Sequence, residues 1–227
     1  MRRRALFIGD VIFQFKYGFY FIYLVFSVLY ISLLFAFPAG WRKTAGILMI
    51  FSDPAAMGLY FMGAIVLFEK SERVLNSIAI SPVKPWEYVL SKLNSIAVIS
   101  TLVAVVIGLS GGFVMNAVWF IISVFLCSCL FSAVGLIIAA KISTLNEFII
   151  ATIPAELLIN VPAIAWLFGY KKSWLLFHPG VCMIELCSDG LNKLIAVTVL
   201  VLWTIFIIMI ANRTIRKMFK SVGGVNL

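Results

Sequence analysis

The sequence predicts an all-α integral membrane protein with six transmembrane helices, and three observations support this prediction. Hydrophobic residues make up 63% of the 227-residue chain and charged residues only 12%, and the mean hydropathy is +1.13. Soluble domains are about half apolar and about a quarter charged, so this composition excludes a water-soluble domain. A spanning helix needs roughly 20 apolar residues, and six runs approach or exceed that length: 17–37, 47–68, 94–109, 117–140, 148–170 and 194–211.

The distribution of Lys and Arg predicts the orientation of these spans. The net charge of +9 would suit a nucleic-acid partner, but basic residues of membrane proteins concentrate on the cytoplasmic side. Six spans with both termini in the cytoplasm place 13 basic residues inside and five outside, and the opposite topology inverts that ratio. We therefore predict cytoplasmic termini and no nucleic-acid partner. The inner residues are Arg2, Arg3, Arg4, Lys16, Lys70, Arg73, Lys84, Lys92, Lys141, Arg213, Arg216, Lys217 and Lys220; the outer ones are Arg42, Lys43, Lys171, Lys172 and Lys193.

Two segments on the cytoplasmic side are more than simple connections. In residues 1–16, polar positions 3, 10 and 14 recur at helical spacing, which predicts a short interfacial helix; a basic topogenic tail is the alternative. In residues 69–92, the pattern predicts an amphipathic helix over Glu72–Ile80, ended by Ser81-Pro82, with Pro85 starting the next helix. Two interpretations of that helix are open. It could dock to a cytoplasmic partner, or it could only orient the two spans that it joins. Its apolar face is Val74, Leu75 and Ile78, and its polar face is Glu72, Arg73 and Asn76.

The segment LFEKSERVLNSIAISPVKPWEYVLSKL, which follows the second span, resembles the permease subunits of ABC type-2 exporters. SDPAAMGLYFMGAIVLFEK, which leads into it, supports the resemblance, and the likeness runs over nearly the whole chain. It implies one permease domain over residues 1–227, with residues 1–16 as a connecting helix and Glu72–Ile80 as a coupling helix. The residues implied to couple to an ATPase are Glu69, Glu72, Arg73, Val74, Leu75, Ile78 and Pro82.

The resemblance also implies partners and a function. Two permeases, identical or related, would form a dimer, and each would bind a cytoplasmic ABC ATPase that carries ATP and Mg²⁺. This chain would bind no cofactor and catalyse nothing, which fits its lack of a G-x-x-x-x-G-K-[ST] motif. The implied activity is export of an amphipathic drug, antibiotic peptide or lipid-like substrate across a prokaryotic plasma membrane.

Polar residues within the fifth predicted span indicate a translocation path. Thr152, Glu156 and Asn160 are spaced i, i+4, i+8 and so share one helix face, and charges at membrane depth tend to be functional. Pro154 and Pro162 are expected to break this helix. Glu156 could instead only stabilise helix packing. The resemblance implies that the second and fifth spans face the dimer interface, which adds Met57 and Tyr60 to the path.

Two further segments carry local signals. Asp53-Pro54 is predicted to be the N-cap and first residue of a helix, with residues 45–52 as a separate outer piece. The outer loop at residues 171–193 contains apolar clusters too short to span, which predicts re-entrant segments. Cys182 and Cys187 of this loop are expected to be free thiols, because a five-residue separation within one helix turns them to different faces.

Two alternatives belong to other functional classes. Gly108-Leu-Ser-Gly111 has the G-x-S-G form used by intramembrane serine proteases, and His178 is the only histidine that could serve Ser110 as a base. A glycine-rich turn explains the same residues. A non-transporting membrane scaffold would need no ATPase partner and would leave the segment at 69–92 without a purpose.

Overall fold

The computed structural model describes residues 2–114 and 116–222, and within these ranges every regular element is a helix. Five of the helices, namely α2, α6, α7, α8 and α10, are long and apolar enough to cross a membrane, which confirms a helical multi-pass fold. The elements are α1 (Arg2–Lys16), α2 (Phe19–Ala36), α3 (Ala39–Ser52), a π-helix (Asp53–Gly58), α4 (Leu59–Ser71), α5 (Val74–Ile80), α6 (Pro85–Gly111), α7 (Ala117–Lys141), α8 (Leu145–Leu167), a 3-10 helix (Ser173–Phe177), α9 (Pro179–Cys187) and α10 (Lys193–Val222).

The second predicted span is assembled from three elements. α3 and α4 have 14 and 13 residues, too few to cross a bilayer alone, and the π-helix joins them into one helical run over residues 39–71. The N-cap prediction for Asp53 is wrong, because Asp53 has helical backbone angles (φ −63°, ψ −58°). The separate outer piece is also wrong, since α3 runs directly into the π-helix. Pro54 lacks an N–H and interrupts the α-helical ladder, and a π turn accommodates such an interruption.

α7 lies at the centre of the bundle, where it packs against α4, α6 and α10. Small residues let the backbones approach closely, as is usual between membrane helices. At Gly135, an added Cβ would lie only 2.3 Å from the carbonyl oxygen of Leu59 on α4. Because the obstacle is backbone, no side-chain movement could make room for it.

The two ends of the bundle carry different elements. At one end, called the α1 end here, α1 packs on α6, α5 packs on α4 and α10, and Tyr88 near the start of α6 contacts Phe219 near the end of α10 (ring centroids 5.4 Å apart). At the other end, the α9 end, Lys43 of α3 donates a hydrogen bond to the Ser188 carbonyl just after α9 (3.3 Å).

α8 is continuous from Leu145 to Leu167, so the expected break at its prolines is wrong. Pro162 has no N–H to offer the carbonyl of Leu158 four residues earlier. The Nε2 atom of His178, from the segment before α9, lies 3.0 Å from that carbonyl oxygen and satisfies it. A tertiary contact therefore replaces a helical hydrogen bond and keeps α8 intact.

The segment predicted as an outer loop contains two short helices. The 3-10 helix and α9 lie between α8 and α10, and every residue of α9 is buried. Cys182 and Cys187 are free, as expected. Burial raises the pKa of each of these thiols to about 12.

Candidate functional site

A buried cation joins three helices at the α1 end. The ammonium of Lys92, on α6, lies 2.5 Å from a carboxylate oxygen of Asp10 on α1 and 2.5 Å from one of Glu69 on α4. The Lys92 side chain is only 1% exposed, and those of Asp10 and Glu69 are 12% and 5% exposed. Buried charges are costly unless they are paired and hydrogen-bonded, so these three groups depend on one another.

Each carboxylate of this network has a second donor. The hydroxyl of Tyr88 donates to Glu69 (2.6 Å), and the hydroxyl of Ser91 donates to Asp10. The Lys92 ammonium also lies 5.8 Å from the centroid of the Phe13 ring and 5.2 Å from that of Tyr88, at distances where cation–π attraction operates. We call Asp10, Glu69 and Lys92 with Tyr88 and Ser91 the α1–α4–α6 network.

α1 is fixed to the bundle by its polar face. Besides Asp10, Gln14 is buried and its amide donates to the hydroxyl of Ser95 on α6 (2.6 Å). On the opposite side, Ile8, Ile12 and Phe15 are 56%, 60% and 75% exposed. The polar residues Asp10 and Gln14 therefore lie on the face of α1 that packs against the protein. The apolar face points outward, where lipid would cover it.

Lys70 links α4 to the end of α7. Its ammonium donates to the carbonyl oxygens of Ala139 (2.7 Å), Ala140 (3.0 Å) and Ile142 (2.7 Å). The last carbonyls of a helix have no partner within it and carry partial negative charge, so a cation is favourable there. The end of α4 is thus bonded to α7 through Lys70 and to α6 through Glu69.

The predicted coupling helix begins two residues later than expected. α5 runs from Val74 to Ile80, and Glu72 and Arg73 form the turn before it, with Arg73 in the left-handed region (φ 57°). Glu72 accepts a hydrogen bond from the Tyr17 hydroxyl at the α1–α2 corner. This hydrogen bond stabilises the protonated hydroxyl and raises the pKa of Tyr17 above its usual value.

α5 is amphipathic as predicted, and its apolar side faces inward. Leu75 is buried and Val74 and Ile78 are half-buried, whereas Glu72, Arg73 and Asn76 are exposed. Val74, Ile78 and Pro82 line a cavity of about 440 Å³ beside α1, into which Asp10 and Glu69 also face. Glu69 and Leu75 lie inside the protein, whereas Glu72, Arg73, Asn76 and the rim of the cavity are accessible to a partner.

The predicted path residues cluster where α8 meets the second helical run. Thr152 is buried and donates to the Ile149 carbonyl (2.7 Å), and Glu156 and Asn160 are half-buried. The Tyr60 hydroxyl lies within interaction range of Thr152 and Glu156. Met57, in the π-helix, is buried. The structure therefore brings Tyr60, Thr152 and Glu156 together.

Asp53 is a second polar feature of this helical run. It is fully buried, and neither carboxylate oxygen has a hydrogen-bond partner in the described part of the chain. Ser100 of α6, whose hydroxyl lies 3.1 Å from that of Tyr23, is a polar neighbour of this carboxyl. Such a carboxyl is expensive at membrane depth, and its place on a π-helix is typical of functional sites.

The residues of the protease alternative do not form a dyad. Ser110 is exposed near the end of α6, and no hydrogen bond joins it to His178. His178 Nε2 is engaged by the Leu158 carbonyl, and its Nδ1 has no partner among the described residues. Desolvation lowers the pKa of His178 despite that carbonyl, so the ring is neutral at pH 7. In residues 2–114 and 116–222, no three His, Cys, Asp or Glu side chains are grouped to hold a metal ion.

The long apolar helices define a multi-pass membrane protein, and comparison with known proteins gives its family. A sequence model of the fluoroquinolones export permease protein family matches residues 3–222, and the chain belongs to this family. Two proteins named fluoroquinolones export permease protein, from Mycobacterium tuberculosis strains CDC 1551 / Oshkosh and ATCC 25618 / H37Rv, are each 29% identical to it over 143 residues. The match covers 62% of this chain and 60% of each relative's length. These matches confirm the resemblance to exporter permeases and are consistent with an ABC-type subunit.

The sequence did not reveal how the α1–α4–α6 network pairs. Glu69 stands out as a coupling residue in the sequence, but Asp10 and Lys92 appear only as charges flanking apolar runs. The sequence shows only that charges of opposite sign occur in α1, near the end of α4 and near the start of α6, which the predicted topology places at the same membrane face.

Proposed function

We propose that this chain is the membrane-spanning subunit of an ATP-driven exporter, with α5 as its contact to a cytoplasmic ABC ATPase. The observation that carries the proposal is the α1–α4–α6 network beside α5. Next to α5, buried ion pairs join α1, α4 and α6. Separating these pairs would leave uncompensated buried charges, which is unfavourable. Such a unit suits the transfer of a push on α5 to the whole bundle.

In this proposal the chain crosses the membrane six times, and the run over residues 39–71 supplies the second crossing. The α1 end lies in the cytoplasm, in keeping with the inner excess of Lys and Arg, and the α9 end faces outward. ATP and Mg²⁺ bind the partner ATPase, where hydrolysis supplies the energy. This chain's residues receive the movement and catalyse nothing.

The movement would spread along three contacts. α5 packs on α10 and on α4, so displacing α5 displaces both. The Glu69–Lys92 pair carries the displacement to α6, and Lys70 carries it to α7. Glu72 connects the same turn to the α1–α2 corner through Tyr17. The helices would therefore rock together instead of bending separately.

A second permease would pack against α8. Few α8 side chains are buried within the chain. Four large apolar ones are 58–71% exposed: Ile150, Leu157, Leu158 and Val161. Between two such chains, the cluster of Tyr60, Thr152 and Glu156 would line a shared cavity, with Met57 and Asn160 beside it. The partner is a second copy or a related chain.

The substrate in this proposal is an amphipathic drug with aromatic rings. The relatives are named for fluoroquinolone export, and such compounds combine a flat apolar ring system with charged groups. The half-buried Glu156 beside the Tyr60 ring offers a carboxyl and an aromatic surface to such a molecule. Antibiotic peptides and lipid-like molecules are the other substrate classes that the permease resemblance implies.

An accumulation assay tests the proposed function. Cells of the native host lacking the gene should retain more of a fluorescent fluoroquinolone than wild-type cells, and the wild-type gene should restore export. Val74→Asp, which places a charge on the apolar face of α5, should fail to restore it, whereas Val74→Leu, which keeps that face apolar, should succeed. Equal accumulation with and without the gene, for fluoroquinolones and for other amphipathic drugs, would overturn the proposal.

A further inference from the structure

A groove at the α1 end is lined by basic residues from two spanning helices. It lies between the ends of α7 and α10 and has a volume of about 500 Å³. Lys141 from α7 and Arg213 and Lys217 from α10 line it, and all three are exposed. No acidic residue lines it.

The three cations have no partner that explains them. In the part of the chain that the structure describes, none of them forms an ion pair with a carboxylate. They are not needed to cap α7 either, because Lys70 already donates to the carbonyls at its end. Three like charges around one groove repel one another, so an anion between them is favourable.

The groove is also amphipathic along its length. Ile210, Arg213, Thr214 and Lys217 are spaced i, i+3, i+4, i+7 and so form one stripe on α10. Ile210 and Ala140 lie toward the apolar part of the two helices, and the basic residues lie toward their ends. Met218, which is buried, contributes further apolar lining.

We propose that this groove binds the phosphate headgroup of an anionic phospholipid. Basic pockets between spanning helices suit such headgroups, and the apolar residues on the membrane side match the glycerol and acyl region that a free phosphate lacks. The site is separate from α5 and from the predicted path residues. The inference does not depend on the proposed ATPase or on export.

Native mass spectrometry of the purified full-length chain, with phosphatidylglycerol as the probe, tests the site. We expect the wild-type protein to retain phosphatidylglycerol in preference to phosphatidylcholine. The double variant Arg213→Gln/Lys217→Gln should bind it about 25-fold more weakly, since each basic residue near an anionic lipid surface contributes about fivefold in affinity. Added salt should weaken binding to the wild-type protein.

A matched control is available on the same helix. Arg216→Gln/Lys220→Gln removes the same two charges from exposed positions of α10 that do not line the groove, and it should bind phosphatidylglycerol as the wild type does. Size-exclusion profiles check that both variants fold, and the single variants Arg213→Gln and Lys217→Gln serve if the double variant does not.

Four results would overturn the proposal. Equal losses in both double variants would show general attraction to charge, and no loss in either would show that the groove binds no lipid. If soluble glycerol phosphate displaced phosphatidylglycerol at equal concentration, the ligand would be a free phosphate compound. Retained lipid binding with loss of a co-purifying ATPase in Arg213→Gln/Lys217→Gln would assign the surface to a protein partner instead.

Discussion

Among the residues that the structure describes, Lys92 is the only cation paired with the carboxylates of Asp10 and Glu69. Removing its charge would leave both carboxylates buried without a counter-ion. Breaking a buried ion pair by deleting one partner costs about 3–5 kcal/mol. The network therefore matters for folding as well as for transmission.

We expect Lys92→Gln to destabilise the protein by about 3–5 kcal/mol, measured by thermal or denaturant unfolding in detergent. Lys84→Gln, an exposed position just before α6, should change stability little. Combining Lys92→Met with Asp10→Asn and Glu69→Gln should recover much of the loss, because no charge remains buried. Equal stability of Lys92→Gln and Lys84→Gln would show that the network is unimportant.

The cysteines of α9 allow a test of burial at the α9 end. With pKa values of about 12, the Cys182 and Cys187 thiols stay protonated at pH 8, and the thiolate is the reactive form. Both should resist a maleimide in the folded protein and react after denaturation. Ser173→Cys, at an exposed position, should react in the folded state. Labelling of Cys182 or Cys187 as fast as this control would contradict the burial of α9.

At the scale of helices, the contact between α4 and α7 depends on a missing side chain. Gly135→Ala would place a Cβ about 2.3 Å from the Leu59 carbonyl oxygen and force the helices apart. We expect a lower unfolding temperature and weakened transport. Gly40→Ala, where an added Cβ meets nothing within 4 Å, is the control and should behave as the wild type. An unchanged unfolding temperature for Gly135→Ala would mean that the helices do not approach this closely.

A variant on the polar face of α8 tests transport without disturbing assembly. Glu156→Gln removes the charge but keeps the shape, so we expect reduced drug export with normal expression and normal complex formation. Glu147→Gln, exposed in the first turn of the same helix, should leave export unchanged. Unaltered export by Glu156→Gln would exclude Glu156 from the path.

These elements differ in how far the sequence predicts them. The apolar runs predict where the spanning helices lie, because hydrophobicity alone places a segment in the bilayer. They do not predict the polar ends: α6 begins at Pro85 instead of residue 94, and α10 continues to Val222 instead of ending at residue 211. The prediction for Asp53 is wrong because an Asp-Pro pair is typical of a helix start. Here the helical run continues through the pair. Glu72 and Arg73 are missed as a turn because helical propensity does not disfavour them. Lys92 cannot be paired from the sequence, since Asp10 lies 82 residues away and only tertiary packing brings the two together.

At the scale of the whole molecule, the proposed function depends on coupling between α5 and the buried charges at the α1 end. In this proposal α5 receives movement from an ATPase, and those charges pass it on to the bundle. The proposed lipid groove and the exposed side of α8 are separate from this coupling, because the coupling does not depend on either of them.

The most direct test is purification of the tagged protein from its native membrane in mild detergent, with mass spectrometry of the proteins that accompany it. We expect a stoichiometric ATPase with a P-loop, lost with Ile78→Asp and retained with the conservative variant Ile78→Leu. The same preparation would show whether the second permease is identical or related. Absence of any ATPase, under conditions that preserve known ABC complexes, would contradict the account.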